Sequence, residues 1–106
     1  MHTTIVKKNK VTFLFAVNTP EQLEKIKHTT CSIFGGYNLV QSFGGWTDEG
    51  HNKGQILEEI SYKLEILTDK DYKHLENLSE HICKIAVQSE VYFYIDSVKL
   101  NITQNY

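Results

Sequence analysis

Between Gly44 and Gln55 the chain reads GGWTDEGHNKGQ, and Glu58 and Glu59 follow almost at once. These residue types hold ligands and move protons. Glycines let backbone amides point outward, and successive amides form a nest for an anion. Gly45 adjoins Trp46, whose indole can stack on a base, and His51 and Lys53 suit a phosphate. The spacing matches neither a Walker-type phosphate loop nor a dinucleotide fingerprint. A hairpin tip whose glycines only serve turns fits the same residues, so both readings stand.

Glu58 poses a separate question. Strict alternation puts it on the side of Ile60 and Tyr62, where apolar residues belong. A bare carboxylate there would be costly or would take up a proton. Three escapes exist: a bulge turns it out, it lies beyond the covered part of a sheet, or it meets a cation or hydroxyl at a site. In a site it would accept from a ribose hydroxyl or act as a general base. Glu59 faces the other side, as a ligand-reading, solvated or interface carboxylate. His51 with Glu58 and Glu59 would be the acid–base set of an enzyme cleaving a phosphodiester without metal. The paired His-x-Thr/Ser motifs of such enzymes are absent.

The remaining titratable groups point to structure. His74 and His81 are seven residues apart on one predicted helix. Two turns separate them by about 10 Å, too far to share one metal ion. His28 suits the C-terminal half of an earlier helix. Cys31 and Cys83 each fall inside a predicted helix and read as reduced thiols, without CxxC or Cys/His metal spacing. Neither a metal nor a cofactor is implied.

The positioning elements follow from periodicity. Residues 1–9 read as a polar arm that frays or adds a short edge strand. From Val11 to Val17 the chain alternates as a central strand. Thr19, Pro20 and Gln22 form a helix start with a capping box. Leu23, Ile26, Thr30, Ile33 and Phe34 make the helix's buried stripe, and Gly35-Gly36 stops it. Tyr37 to Phe43 is a second strand. After the loop at 44–55, Ile56 to Ile66 is a third, antiparallel to it. Thr68 caps a second helix with Asp71 three residues on, and its stripe is Tyr72, Leu75, Leu78, Ile82 and Ile85. Val91 to Asp96 is a last strand. The apolar phase then shifts to Val98, Leu100 and Ile102, which predicts a bulge near Asp96-Ser97 and a tail strand. The order β-α-β-β-α-β predicts an α+β ferredoxin-like plait: a four-stranded antiparallel sheet with both helices on one face. Tyr92 and Tyr94 fall on the open face, as an interface between copies, since tyrosine suits partly polar contacts.

Composition bounds the partners. The chain has 106 residues, 41% hydrophobic and 23% charged, which predicts one domain over 1–106 with its core in 11–102. The formal net charge of −2 disfavours nucleic acid. No apolar run approaches the ~20 residues that span a membrane, and the N-terminus lacks a signal core, so a cytoplasmic location is expected.

The run SIFGGYNLVQSFGGWTDEGHNKGQILEEISYKLEIL, with QSEVYFYIDSVKLNI after the second helix, resembles a family of small uncharacterised bacterial and phage proteins. The matching positions are Gly36, Gly45, Trp46, Gly54, Glu58 or Glu59, Ser61, Gln88, Glu90 and Val91. That family is similar to the trimeric PII-like proteins, which hold nucleotides with a protruding hairpin loop and subunit clefts. The resemblance implies a PII-like plait and a homo-oligomer, dimer or trimer. It also implies a nucleotide-like anionic signal as ligand, as in phage anti-defence sponges acting in a bacterial host cell. No PII-type phosphate-binding sequence is present, so no ATP site carries over. Gly45, Trp46, His51, Lys53, Glu58 and Glu59 are the expected ligand residues. Cleavage of such a signal, or inhibition of a protein target without a small ligand, are the alternatives.

Overall fold

The computed structural model describes residues 1–47 and 54–104. Its elements run β1 (His2–Phe15), α1 (Pro20–Phe34), β2 (Asn38–Trp46), β3 (Leu57–Thr68), α2 (Tyr72–Ala86) and β4 (Tyr92–Gln104). The strands form one antiparallel sheet in the order β2-β3-β1-β4. This is the ferredoxin-like plait that the sequence predicts.

Local chemistry starts and stops the helices. At α1 the Thr19 hydroxyl accepts from the Gln22 amide, and the Gln22 side chain accepts from the Thr19 amide, closing the capping box. Gly35 ends the helix with φ +86°, a conformation that favours glycine. The cap of α2 is Asp71, not Thr68. The Asp71 carboxylate accepts from both the amide and the ring of His74, and these bonds hold it below its ordinary pKa. Thr68 instead accepts from the Lys70 amide and shapes the turn before the helix.

Both helices cover one face of the sheet. Val11, Phe13 and Phe15 of β1 and Leu64 and Ile66 of β3 meet Ile26 of α1 and Leu75, Leu78 and Ile82 of α2. Phe13 stacks near Phe93, with ring centres 5.1 Å apart. Tyr72 opens the second helix largely exposed, yet its ring lies 5.7 Å from Phe93.

The ends of the sheet refine the expectation. Of the two readings of residues 1–9, the strand is the one formed, as the start of central β1 and not as a short edge piece: β1 begins at His2 and pairs rung by rung with β4. There is also no bulge at Asp96-Ser97, because the register runs unbroken from Leu14↔Tyr92 to His2↔Gln104. The phase shift has another cause. Beyond Asn9↔Thr68 neither β3 nor a helix lies over the β1–β4 ribbon. Val98, Leu100 and Ile102 therefore carry the apolar side over to the face opposite the helices. A second ribbon, the β2–β3 hairpin, projects from the other end, and the molecule measures 59 × 24 × 24 Å. No helix among the described residues is long and apolar enough to cross a membrane.

Candidate functional site

The register assigns each side chain to a face, because directly opposite residues share a side. On the face away from the helices, one row crosses the sheet as Asn38, Glu65, Thr12 and Tyr94. The next row toward the hairpin is Val40, Lys63, Leu14 and Tyr92. Then come Ser42 with Ser61, whose hydroxyls lie 3.0 Å apart, and Gly44 with Glu59. Tyr92 and Tyr94 stand on this open face, and the Tyr92 hydroxyl donates to Glu90.

The expected ligand residues are not all on one surface. Gly45 and Trp46 extend β2 into the hairpin and pair with Glu58 and Leu57. Glu58 is on the helix side of the sheet, but past the helices, and it is exposed. It takes the second of its three escapes, lying beyond the covered area. Glu59 is exposed on the open face, so the two glutamates serve opposite surfaces. Asp48, Glu49, His51 and Lys53 lie outside the described residues.

A polar cluster that the motifs do not announce sits on the open face. The Lys10 ammonium lies 3.1 Å from one Glu65 carboxylate oxygen, and the Asn38 amide donates to the other at 2.9 Å. These bonds, Asn38 first and Lys10 second, hold the Glu65 carboxyl below its ordinary value of 4.5, with Lys63 adding to the effect. Glu65 is therefore ionised at neutral pH, with lone pairs to spare.

The cluster lines a recess of about 550 Å³, open to solvent, where β3 outruns β2. Phe34 and Tyr37, from the end of α1 and the turn after it, form one wall. Leu67, Val98 and Leu100 form the apolar remainder. Beside it Thr12 is only 1% exposed, and its hydroxyl has no hydrogen-bond partner among the described residues. Apolar walls around a few convergent polar groups are the usual make-up of a small-molecule site. The donors available are the remaining N–H groups of Lys10, and the acceptors are Asn38 Oδ1 and Glu65.

Lys10, Asn38 and Glu65 are far apart in sequence, so spacing alone could not find them. The available signal was their placement on adjacent open-face strands, readable once the register is known. About 20 Å of strand separates Glu65 from Glu59.

The backbone trace has close counterparts. A phage SAM lyase in complex with S-methyl-5'-thioadenosine superposes with a TM-score of 0.63 at 16% identity, over 92% of this chain and 90% of that one. The GlnK–ATP complex of B. subtilis gives 0.63 at 14% identity, over 87% and 82%. The fold is PII-like. The PII-like protein CutA from Nostoc sp., in its apo form, also shares it, with a TM-score of 0.53 at 22% identity over 86% and 80%. At these identities the likeness concerns the path of the chain, not its chemistry. No protein-family model matches the sequence, and no curated protein does.

Proposed function

We propose that the protein binds a small nucleotide-like molecule on the open face of its sheet and sequesters it. The recess at Lys10, Asn38 and Glu65 carries this reading. It offers apolar walls, one fixed carboxylate for hydroxyl or amino groups, and one ammonium. In this reading a planar base lies against the walls that Tyr37 and Leu67 provide, with its donors on Glu65 and Asn38. Lys63, one step along β3, faces the same side and suits a phosphate.

Gly45, Trp46, His51 and Lys53 form the anion-holding arm in this reading. Glu59, on the open face, is its second carboxylate; Glu58 faces away. The β2–β3 strands that lead to these residues run away from the recess, so in this reading the cleft is completed between copies that pack open face to open face, with Tyr92 and Tyr94 in the contact. Two proteins of like fold have been captured with adenosine-containing molecules, which makes an adenosine-containing signal the first to test. Removing such a signal from a bacterial host would be the role of a phage anti-defence sponge.

The experiment is retention. Purified protein is mixed with a panel of adenosine-containing nucleotides and signals, passed through a desalting column, and heated. Intact ligand released by heat supports sequestration. Asn38→Ala and Trp46→Ala should each reduce retention at least about tenfold, which ~1.4 kcal/mol supplies. Retention unchanged in Asn38→Ala removes the recess from the site. A second reading, cleavage of the signal, gains from the likeness to a lyase. It would appear as products before heating. Retention of nothing would leave inhibition of a protein target.

A further inference from the structure

The side of the sheet that carries the helices has exposed surface too, at both ends. On the hairpin ribbon Phe43 faces Ile60 across the strands, and they are 76% and 47% exposed. The next row outward is Gly45 with Glu58. On the terminal ribbon Ile5, 67% exposed, faces Asn101, and the next row inward is Lys7 with Lys99. Like charges directly opposite each other destabilise a strand pair. Neither lysine has an acidic partner among the described residues.

The two patches match in order as well as in kind. Along the direction from the terminal ribbon to the hairpin tip, each shows a row with an exposed apolar side chain and then a charged row. The step between rows is two residues in each, about 7 Å. The charges are opposite: one carboxylate on the hairpin, two ammoniums on the terminal ribbon. We propose that a second copy of this chain docks here, its terminal ribbon lying face to face on the hairpin of the first.

In that overlap Ile5 of one copy covers Phe43 and Ile60 of the other. The Glu58 carboxylate sits between Lys7 and Lys99 and relieves their repulsion. Both ribbons extend beyond the rungs on which the helices pack, which leaves these rows exposed. Pairing hairpin with hairpin would set Glu58 against Glu58, so the contact joins unlike ends. Such a contact is heterologous, so it cannot close as a two-fold pair, and in the extended arrangement it builds a chain of copies. Each added copy advances it by about 40 Å, the ~12 residues of strand between Ile5 and the rung of Ile60. The contact uses the face opposite the proposed ligand recess and does not depend on that reading.

Charge exchange between variants tests it. The wild-type protein should show species in sedimentation velocity that grow with concentration and dissolve between about 0.05 M and about 0.5 M salt. Glu58→Lys, and separately the double change Lys7→Glu with Lys99→Glu, should each weaken that growth at least about fivefold. An equimolar mixture of the two variants restores attraction at every joint, so growth should return. Carrying all three changes in one chain should restore it too, which separates loss of contact from loss of fold. Wild-type protein that does not grow with concentration overturns the proposal, as do variants that associate like wild type or a mixture that fails to recover.

Discussion

The two ribbons that leave opposite ends of the sheet are built from the same kind of strand pair, yet they place most of their apolar residues on different faces. On the hairpin, the face away from the helices is polar, with Ser42, Ser61, Gly44 and Glu59, and the helix side carries Phe43 and Ile60. On the terminal ribbon, the face away from the helices carries Val6, Val98 and Leu100 beside Lys8, and the helix side carries Thr3, Lys7, Lys99 and Asn101 around a single exposed apolar residue, Ile5. Alternation dictates that the two faces differ. The terminal ribbon continues the wall of the recess, and Leu100 and Val98 line it.

Replacing the shared body between the ribbons should have the largest effect and treat both ends alike. Phe13→Ala leaves a cavity beside Phe93 and Leu64 and should cost about 3–5 kcal/mol in denaturant unfolding. A lysine at matched positions should then split the ribbons. Leu100→Lys puts a charge on half-buried apolar surface and should cost about 1–3 kcal/mol. Phe43→Lys, on exposed surface, should stay within about 0.5 kcal/mol when measured in dilute solution. Equal costs would break the contrast drawn here.

Thr12 sharpens the picture at the middle of the open face. Its hydroxyl is buried without a partner among the described residues, so Thr12→Val should raise stability by about 1 kcal/mol in the isolated chain. The smallest effect is a pH dependence. Bonding to Asn38 and Lys10 depresses the Glu65 carboxyl, so its stabilising contribution is complete above the ordinary value of 4.5 and is lost as pH falls through the lower folded value. Glu65→Gln should flatten the acid limb of the stability profile and leave the neutral region in place, and a thermal melt series from pH 7 to pH 3 would read it.

The periodic parts of this fold were legible in the chain. Thr19, Pro20 and Gln22 announce α1 because a capping box is local chemistry, and Leu75, Leu78 and Ile82 announce α2 because a helix has one buried stripe. The pattern also puts Asp71 in the second start, but Thr68 and Asp71 both suit a cap and only the turn between them decides. The shift of phase at Val98 was visible, but its cause was not. A bulge and a loss of cover write the same pattern, and cover is a tertiary fact. The site divides in the same way. The glycines and Trp46 draw attention because they cluster, whereas Lys10, Asn38 and Glu65 meet only through the register of three strands.

The outermost rungs of β1 and β4 join residues from the two extremes of the chain: Thr3 and Thr103 touch through their hydroxyls at 3.0 Å across 100 positions. Such a contact can form only after nearly the whole polypeptide has been looped back, which makes its completion a slow, late event in folding. Splicing His2 to Gln104 through a brief turn and reopening the chain elsewhere would convert that distant encounter into a neighbouring hairpin. The rearranged molecule should reach the same native structure sooner.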